Sequence, residues 1–319
     1  MLCSVGVLYD AGDGQMKDVV IMMSSYNGEK YIKKQIDTIM EQKYDGTITL
    51  LIRDDGSNDA TIKIIQECPQ SQMRRIRLIK GRNVGPQRSF LALIRKAPVA
   101  DFYFFADQDD IWYGGKIAKA VSGMGEYDTP ICYCTNYDIV NTETGVRKER
   151  IIKDVPTFRP LKIIFYNRIP GCTMGFNRSL MAELKKLKLR NVMMHDSMVL
   201  SYCAAIGEII FDKESSIAHR IHGNNVVGEG HKKIIPHKWI VDKLKLVIYK
   251  DKYDVSEMAS EFMNNGHIKD EYVDDLRLLR DFKKSWVNTI KLLKHLDSHG
   301  TFMDRTTLSI RFKILLHVF

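Results

Sequence analysis

The chain has 319 residues, 45% of them hydrophobic, with a formal net charge of +9 and a sequence pI of about 9.1. That is enough apolar material for one substantial core and a smaller second unit, which excludes a disordered chain, and no window approaches the 18 apolar residues of a spanning helix. The cationic excess suits an anionic partner such as a nucleotide or a phospholipid surface, but no RRM-like, helix-turn-helix or zinc-finger pattern accompanies it, so no nucleic-acid partner is expected.

In chain order, residues 1–17 are weakly patterned, with Gly12 and Gly14, and read as a leader. Val19–Met23 is a continuous apolar run, followed by a turn at Ser24–Gly28 and a helix expected from about Glu29 to Gln42, where Tyr31, Ile32, Ile36, Ile39 and Met40 recur at helical spacing. The cycle repeats with a strand over Ile48–Ile52, a turn over Arg53–Ser57 and a helix over Asp59–Cys68. It repeats again with a strand over Ile76–Ile79, a turn over Gly81–Pro86 and a helix over Gln87–Lys96. A fourth apolar run from Phe102 breaks abruptly into Asp107, Asp109 and Asp110. Alternation of this kind predicts an α/β fold, a mostly parallel sheet flanked by helices, with ligands gathered beyond the carboxyl ends of its strands. Three turns, Ser24–Gly28, Asp54–Ser57 and Asp107–Asp110, then share one edge.

Further on, Met193–Asp196 precedes a helix expected over Ser197–Ile206. From residue 231 helical patterns dominate, over Trp239–Tyr249, Tyr272–Leu296 and Thr306–Val318, with apolar faces set against Lys and Arg. The final segment, Leu308–Phe319, serves equally for lying in an anionic membrane surface, for packing on the preceding domain and for pairing with a second copy in a homo-oligomer. The expected organisation is a leader (1–17), a catalytic domain (18–230) and a basic amphipathic helical region (231–319). Cys3, Cys68, Cys132, Cys134, Cys172 and Cys203 are scattered without a C-x-x-C pair or a secretory leader pattern, so reduced, mostly buried thiols of a cytoplasmic protein are expected.

The acidic stretch carries the chemistry. Asp107 and Asp109 are two residues apart, so both carboxylates can address one hard divalent cation while Gln108 faces elsewhere; a turn with capping aspartates is the plainer alternative. The first turn lacks G-x-G-x-x-G, and no G-x-x-x-x-G-K-[ST] occurs. Without a glycine cradle, phosphate charge must be met by a metal and basic side chains. Arg88 falls near the start of the helix after Asn83–Pro86, where N–H groups and a guanidinium can hold a phosphate; a solvated surface is an equally good reading.

Ser24-Ser-Tyr-Asn, Arg53-Asp-Asp-Gly-Ser-Asn-Asp59, Asn83-Val-Gly85, Asp107-Gln-Asp-Asp-Ile-Trp112, His195-Asp196 and Arg220-Ile-His-Gly-Asn-Asn225 together resemble a family 2 glycosyltransferase with the GT-A fold of nucleotide-diphospho-sugar transferases. The forms of the acidic and His-Gly-Asn-Asn motifs are most similar to bacterial rhamnosyltransferases of polysaccharide assembly. The resemblance spans roughly residues 18–228. It implies that Ser24 and Tyr26 line the base and ribose pocket, and that Asp55 accepts a hydrogen bond from the base. Asp109 would ligate Mn2+ or Mg2+, with Asp107 at the ribose or a metal-bound water and His222 completing the metal shell or meeting the diphosphate, while Asp110 belongs to the following turn. Asp196 matches the catalytic base, with His195 where many members have Glu. Thr173, His195 and Arg220 would touch substrate. A single base facing an in-line attack implies inversion. The implied activity is metal-dependent transfer of a sugar, L-rhamnose from a dTDP donor, onto a sugar hydroxyl of a growing, lipid-linked cell-surface polysaccharide, by a cytoplasmic protein peripheral at the inner face of the membrane. The same scaffold with a UDP-hexose or UDP-N-acetylhexosamine donor, and a catalytically silent glycan-binding module, are the alternatives.

Overall fold

The computed structural model describes residues 16–69, 75–190, 192, 194–222 and 254–298, together with 310, 311, 314, 315 and 317. Most of the expected leader, the helix over Trp239–Tyr249, the Gly223–Asn225 end of the His-Gly-Asn-Asn motif and most of Leu308–Phe319 lie outside the described residues.

The first half of the chain alternates strand and helix: β1 (Val19–Ser25), α1 (Ile32–Met40), β2 (Ile48–Asp54), α2 (Thr61–Gln66), β3 (Ile76–Lys80), α3 (Pro86–Lys96) and β4 (Phe102–Asp107). It continues with β5 (Ile111–Trp112), α4 (Lys116–Met124), β6 (Ile131–Asn141), β7 (Arg147–Lys148), α5 (Pro160–Phe165), a 3-10 turn at Gly171–Thr173, β8 (Met174–Asn177), α6 (Arg178–Lys186), α7 (His195–Ile206) and β9 (Glu208–Ile221). One sheet joins the strands in the order β3-β2-β1-β4-β8-β6-β9-β5, with β7 on β6. β3, β2, β1 and β4 are parallel, as the repeating units require; β8 runs antiparallel between β4 and β6, which makes the whole sheet mixed.

Each strand of the parallel half feeds both faces, because successive side chains point to opposite sides. Val19, Ile21 and Met23 pack with Ile36, Ile39, Ile52, Ile65 and Phe104 under α1 and α2. Val20 and Met22 pack with Leu51, Phe90, Leu93, Tyr103 and Phe105 under α3, in a core that continues into α5, α6 and α7.

Three further helices, α8 (Val255–Asn265), α9 (Asp270–Asp281) and α10 (Trp286–Ser298), close that second core with Phe262, Leu276, Leu279, Phe282 and Leu296. The Phe262 ring lies 4.6 Å from that of Tyr202 on α7, and the Lys269 N–H donates to the Ala205 carbonyl at 2.9 Å. The continuous helix expected over Tyr272–Leu296 is instead two helices, broken at Phe282–Lys284. Phe282 turns fully into the core there, Ser285 is extended, and its hydroxyl accepts the Asn288 N–H as an N-cap for α10. Among the described residues no helix is long and apolar enough to cross a membrane.

Candidate active site

The parallel register sets Arg53, Ser24 and Asp107 side by side on β2, β1 and β4, so the three expected turns leave the sheet at the same height. The first two turns brace each other. The Asn27 N–H donates to Ser57 Oγ at 2.9 Å, the Gly28 N–H to Thr61 Oγ1 at 2.8 Å and the Glu29 N–H to Asp59 Oδ2 at 3.1 Å. Ser24 Oγ donates to Ser89 Oγ on α3 at 2.6 Å, and Arg53 also donates to that hydroxyl at 3.0 Å. Asp55 is 2% exposed and pairs with Arg53, while its two oxygens accept the N–H groups of Val84 and Gly85, each at 2.9 Å. Its carboxylate therefore ties the Gly81–Pro86 turn to the second. Tyr26 remains 45% exposed on the rim. Gln108 does not face elsewhere: its amide accepts the Tyr26 N–H at 2.9 Å and donates to the Tyr26 carbonyl at 3.0 Å, clamping the first turn to the acidic one. A Cβ on Gly28 would stand 2.2 Å from the Gln108 oxygen, so the close approach needs glycine there.

The acidic bend folds into a larger polar cluster than its spacing suggests. Asp107, Asp110, Cys172 and His219 offer ligand atoms all within 4.8 Å of one another, and Asp109 Oδ2 lies 2.9 Å from His222 Nε2. Burial, then the neighbouring Asp110 and Asp109 charges, push the Asp107 carboxyl up to about 8; burial and Asp110 also raise Asp109, with His222 opposing. Burial alone would lower His219, but its hydrogen bond to Asp110 and the surrounding carboxylates hold it up at about 9, so the imidazolium donates to Asp110 Oδ1 at 2.8 Å. Lys116, brought down to about 8 by burial, donates to the Cys172 carbonyl and to Ser216 Oγ, each at 3.0 Å. Asp110 Oδ2 is buried without a hydrogen-bond partner among the described residues. Asp107 and Asp110, with one orphaned acceptor, offer oxygens that fit a hard divalent cation, while Asp109 is hydrogen-bonded to His222 outside that group. Asp110 is thus part of the cluster and precedes β5 rather than capping a helix.

Asp196 opens α7 and is 9% exposed. Burial raises its pKa, opposed by hydrogen bonds from the Ser197 N–H at 2.6 Å and the Gly171 N–H at 3.2 Å. The 3-10 turn joins the two acidic sites: Gly171 touches Asp196, and the next residue, Cys172, belongs to the Asp107–Asp110 cluster. Two adjacent residues of this turn thus reach Asp196 and the acidic cluster respectively. A Cβ on Gly171 would stand 2.6 Å from His195 Nε2 and 3.4 Å from Asp196 Cβ.

His195, Thr173 and Arg220 have protein partners rather than open space. His195 is 3% exposed, its ring stacked on Phe90 at 3.7 Å and edge-on to Phe105 at 4.8 Å, with both ring nitrogens lacking hydrogen-bond partners among the described residues; burial depresses its pKa to about 3. Thr173 Oγ1 donates to the Pro170 carbonyl at 2.8 Å and closes the turn. Arg220 grips the main-chain carbonyls of Asp109, Asp110 and Tyr31, and lies over the Tyr31 ring, which also stacks on His222 at 4.2 Å. Arg88 lines a cavity of about 340 Å3 whose lining includes none of Ser24, Tyr26, Asp107 or Asp109. Gln108 as a clamp, and Cys172 and His219 beside Asp110, went unseen from the sequence; the one signal was the third Asp of Asp-Gln-Asp-Asp.

The profile of "Glycosyl transferase family 2" matches residues 20–184. The chain is 28% identical over 278 residues to the dTDP-rhamnosyl transferase RfbG of Shigella flexneri, covering 82% of this chain and 93% of that one. It is 27% identical over 157 residues to the UDP-Glc:alpha-D-GlcNAc-diphosphoundecaprenol beta-1,3-glucosyltransferase WfgD of Escherichia coli, covering 49% and 57%. In structure it is similar to S. aureus TarS 1-349 in complex with UDP-GlcNAc (TM-score 0.55, 16% identity, 89% of this chain and 78% of that one). It is also similar to the mannosyltransferase PcManGT from Pyrobaculum calidifontis in complex with GDP-Man and Mn2+ (TM-score 0.52, 14% identity, 95% and 86%). Asp196, His219 and His222 lie beyond the matched profile. With half of its length matched and a GT-A-like sheet beneath the motifs, this chain belongs to glycosyl transferase family 2 and is related to its rhamnosyltransferases.

Proposed function

We propose that the chain transfers L-rhamnose from dTDP-rhamnose to a sugar hydroxyl of a growing cell-surface polysaccharide, with inversion at the anomeric carbon. The observation that carries this reading is the Gly171–Thr173 turn, which sets Asp196 on one side and the Asp107–Asp110 cluster on the other. Similarity to a dTDP-rhamnosyl transferase over most of both chains supports the donor.

In this reading the Ser24–Gly28 turn and Tyr26 receive the nucleoside, and the Gln108 clamp fixes that turn against the acidic bend. Asp107, Asp109 and Asp110 would hold Mn2+ or Mg2+, with His219 and His222 hydrogen-bonded to Asp110 and Asp109. When bound, the ion would neutralise the departing diphosphate as a Lewis acid. Asp196 accepts the proton of the attacking hydroxyl from the face opposite the nucleotide. His195, neutral and stacked, shields that carboxylate from water on its core side. In this reading residues 18–230 are the catalytic unit and 231–319 a basic amphipathic helical region, of which α8 to α10 pack on the core, in a cytoplasmic protein peripheral to the membrane that carries its lipid-linked acceptor.

The deciding measurement is thermal stabilisation and slow hydrolysis across dTDP-rhamnose, UDP-hexoses and UDP-N-acetylhexosamines with Mn2+, with the product anomer read by NMR. A UDP-sugar that outperforms dTDP-rhamnose would transfer the reading to that donor. Asp109→Asn should abolish metal-dependent nucleotide stabilisation while keeping the fold. Donor affinity equal with and without chelator in the unsubstituted protein would remove the metal role.

A further inference from the structure

The Gly171–Thr173 turn is held from outside by a buried cation. Lys116, the first residue of α4, is 3% exposed. An ammonium has three donors and no acceptor, so a buried one is satisfied only where acceptors converge on it. Those of Lys116 are all neutral: the Cys172 carbonyl and Ser216 Oγ, each at 3.0 Å, and the face of the Trp112 ring, its centroid 4.8 Å away. Ser216 Oγ lies in turn 2.6 Å from Thr135 Oγ1 on β6. These partners belong to the segments that build the polar cluster. Trp112 stands two residues after Asp110, Ser216 three residues before His219, and Cys172 is itself a member. One ammonium thus touches the chain beside Asp110, Cys172 and His219 alike.

The other bonds of the turn serve different ends. The Thr173 N–H and hydroxyl donate to the Pro170 carbonyl, and the Met174 N–H to that of Gly171, which sets the shape of the turn but not its place. From Met174 onward the chain is held by β8, where Met174 pairs with Cys134. The Gly171 N–H on Asp196 and the Cys172 thiol in the cluster are the two contacts whose spacing is at stake. The bond from Lys116 is the one that refers the turn to β5 and β9, the strands on either side of the acidic cluster.

We propose that Lys116 is a positioning residue that fastens the Cys172 carbonyl to β9 and to the Trp112 ring, and so fixes the turn where Gly171 meets Asp196 and Cys172 meets the acidic bend. The inference rests on the glycosyl-transfer reading and adds to it the residue that sets the spacing between the base and the donor side.

The test uses the full chain. Lys116→Met keeps the length of the stem and removes the donors. Hydrogen exchange, read by mass spectrometry on a peptide spanning residues 168–176, should become at least about tenfold faster, while peptides of β1 and β2 keep their rates. Iodoacetamide should likewise alkylate Cys172, 1% exposed in the pinned turn, at least about tenfold faster under native conditions, with the buried Cys203 unchanged. With the donor that the unsubstituted protein turns over, kcat should fall at least about tenfold while the nucleotide Kd with Mn2+ stays within about twofold. Absent turnover and nucleotide binding in the unsubstituted protein would mark failure of the transferase reading, and the exchange and alkylation rates are read independently of it. The proposal is overturned if the turn exchanges as slowly in Lys116→Met as before, or if β1 and β2 exchange faster by the same factor, which would assign the lysine to overall packing. It is also overturned if kcat holds while the turn loosens, or if the nucleotide Kd weakens as far as kcat falls. Should Lys116→Met lose the fold outright, Ser216→Ala, which removes the tie from the ammonium to β9, decides: exchange in the same peptide should rise at least about threefold, and an unchanged rate overturns the proposal.

Discussion

At the scale of single residues, Asp196 carries the most exacting demand, because a carboxylate proposed as the base must be both buried and ionised. Its folded pKa lies above the ordinary 3.8, so ionising it costs stability. That penalty is absent below pH 3.8 and grows as pH rises towards neutrality. Asp196→Asn should therefore lower transfer at least about a hundredfold while its melting temperature at pH 7 rises; a variant with near-normal turnover would end the assignment. The acid limb of the rate profile should lie above the usual carboxylate range, with activity falling as pH drops through it, and a limb at or below 3.8 would contradict the burial argument. His195 shows a similar tension. Two unpartnered nitrogens cost about 1–3 kcal/mol each, whereas ring contacts with Phe90 and Phe105 return only about 0.5–1.5 kcal/mol apiece. None of this was legible in His-Asp as two letters. Spacing located the pair, but the aromatic sandwich is built from α3 and β4, about a hundred residues upstream.

At the scale of elements, the Gly171–Thr173 turn has no periodicity and no charge, yet it connects the two acidic sites. Gly171→Ala would drive a methyl into His195 and Asp196, costing about 1–3 kcal/mol in urea unfolding and reducing transfer. Pairing it with His195→Ser should recover part of the lost stability, and simple additivity of the two losses would show that they do not collide. The strand and helix repeats from Val19 to Asp107 were readable because β1, β2 and β4 are buried apolar runs and each helix has a single apolar face. β9 was not, since its pairing with β6 is made across the sheet by segments far apart in the chain. The break at Phe282 was partly readable: Ser285 and Asn288 mark an N-cap, but the apolar period runs on through it, and burial of Phe282 decides the outcome.

At the scale of the whole molecule, α8 to α10 complete the core instead of hanging from it, so their removal should unfold the catalytic unit rather than release it. Trp286, Val287 and Ile290 remain 62%, 60% and 48% exposed on α10, near the exposed Lys284, Lys291 and Lys294. An amphipathic face of this kind suits an anionic bilayer surface. Trp286→Ser should weaken flotation with phosphatidylglycerol vesicles, increasingly so at low salt, while nucleotide binding is unaffected; equal flotation would remove α10 from the membrane reading. The aligned row of Arg53, Ser24 and Asp107 has one more consequence. The parallel strands act as a measuring frame: a residue inserted within β1, β2 or β4 would rotate every later side chain of that strand to the opposite face. Length variation in descendants of this chain should therefore accumulate at the far rim, around Gly46 and Pro98, while the distance from each strand's start to its polar end stays constant.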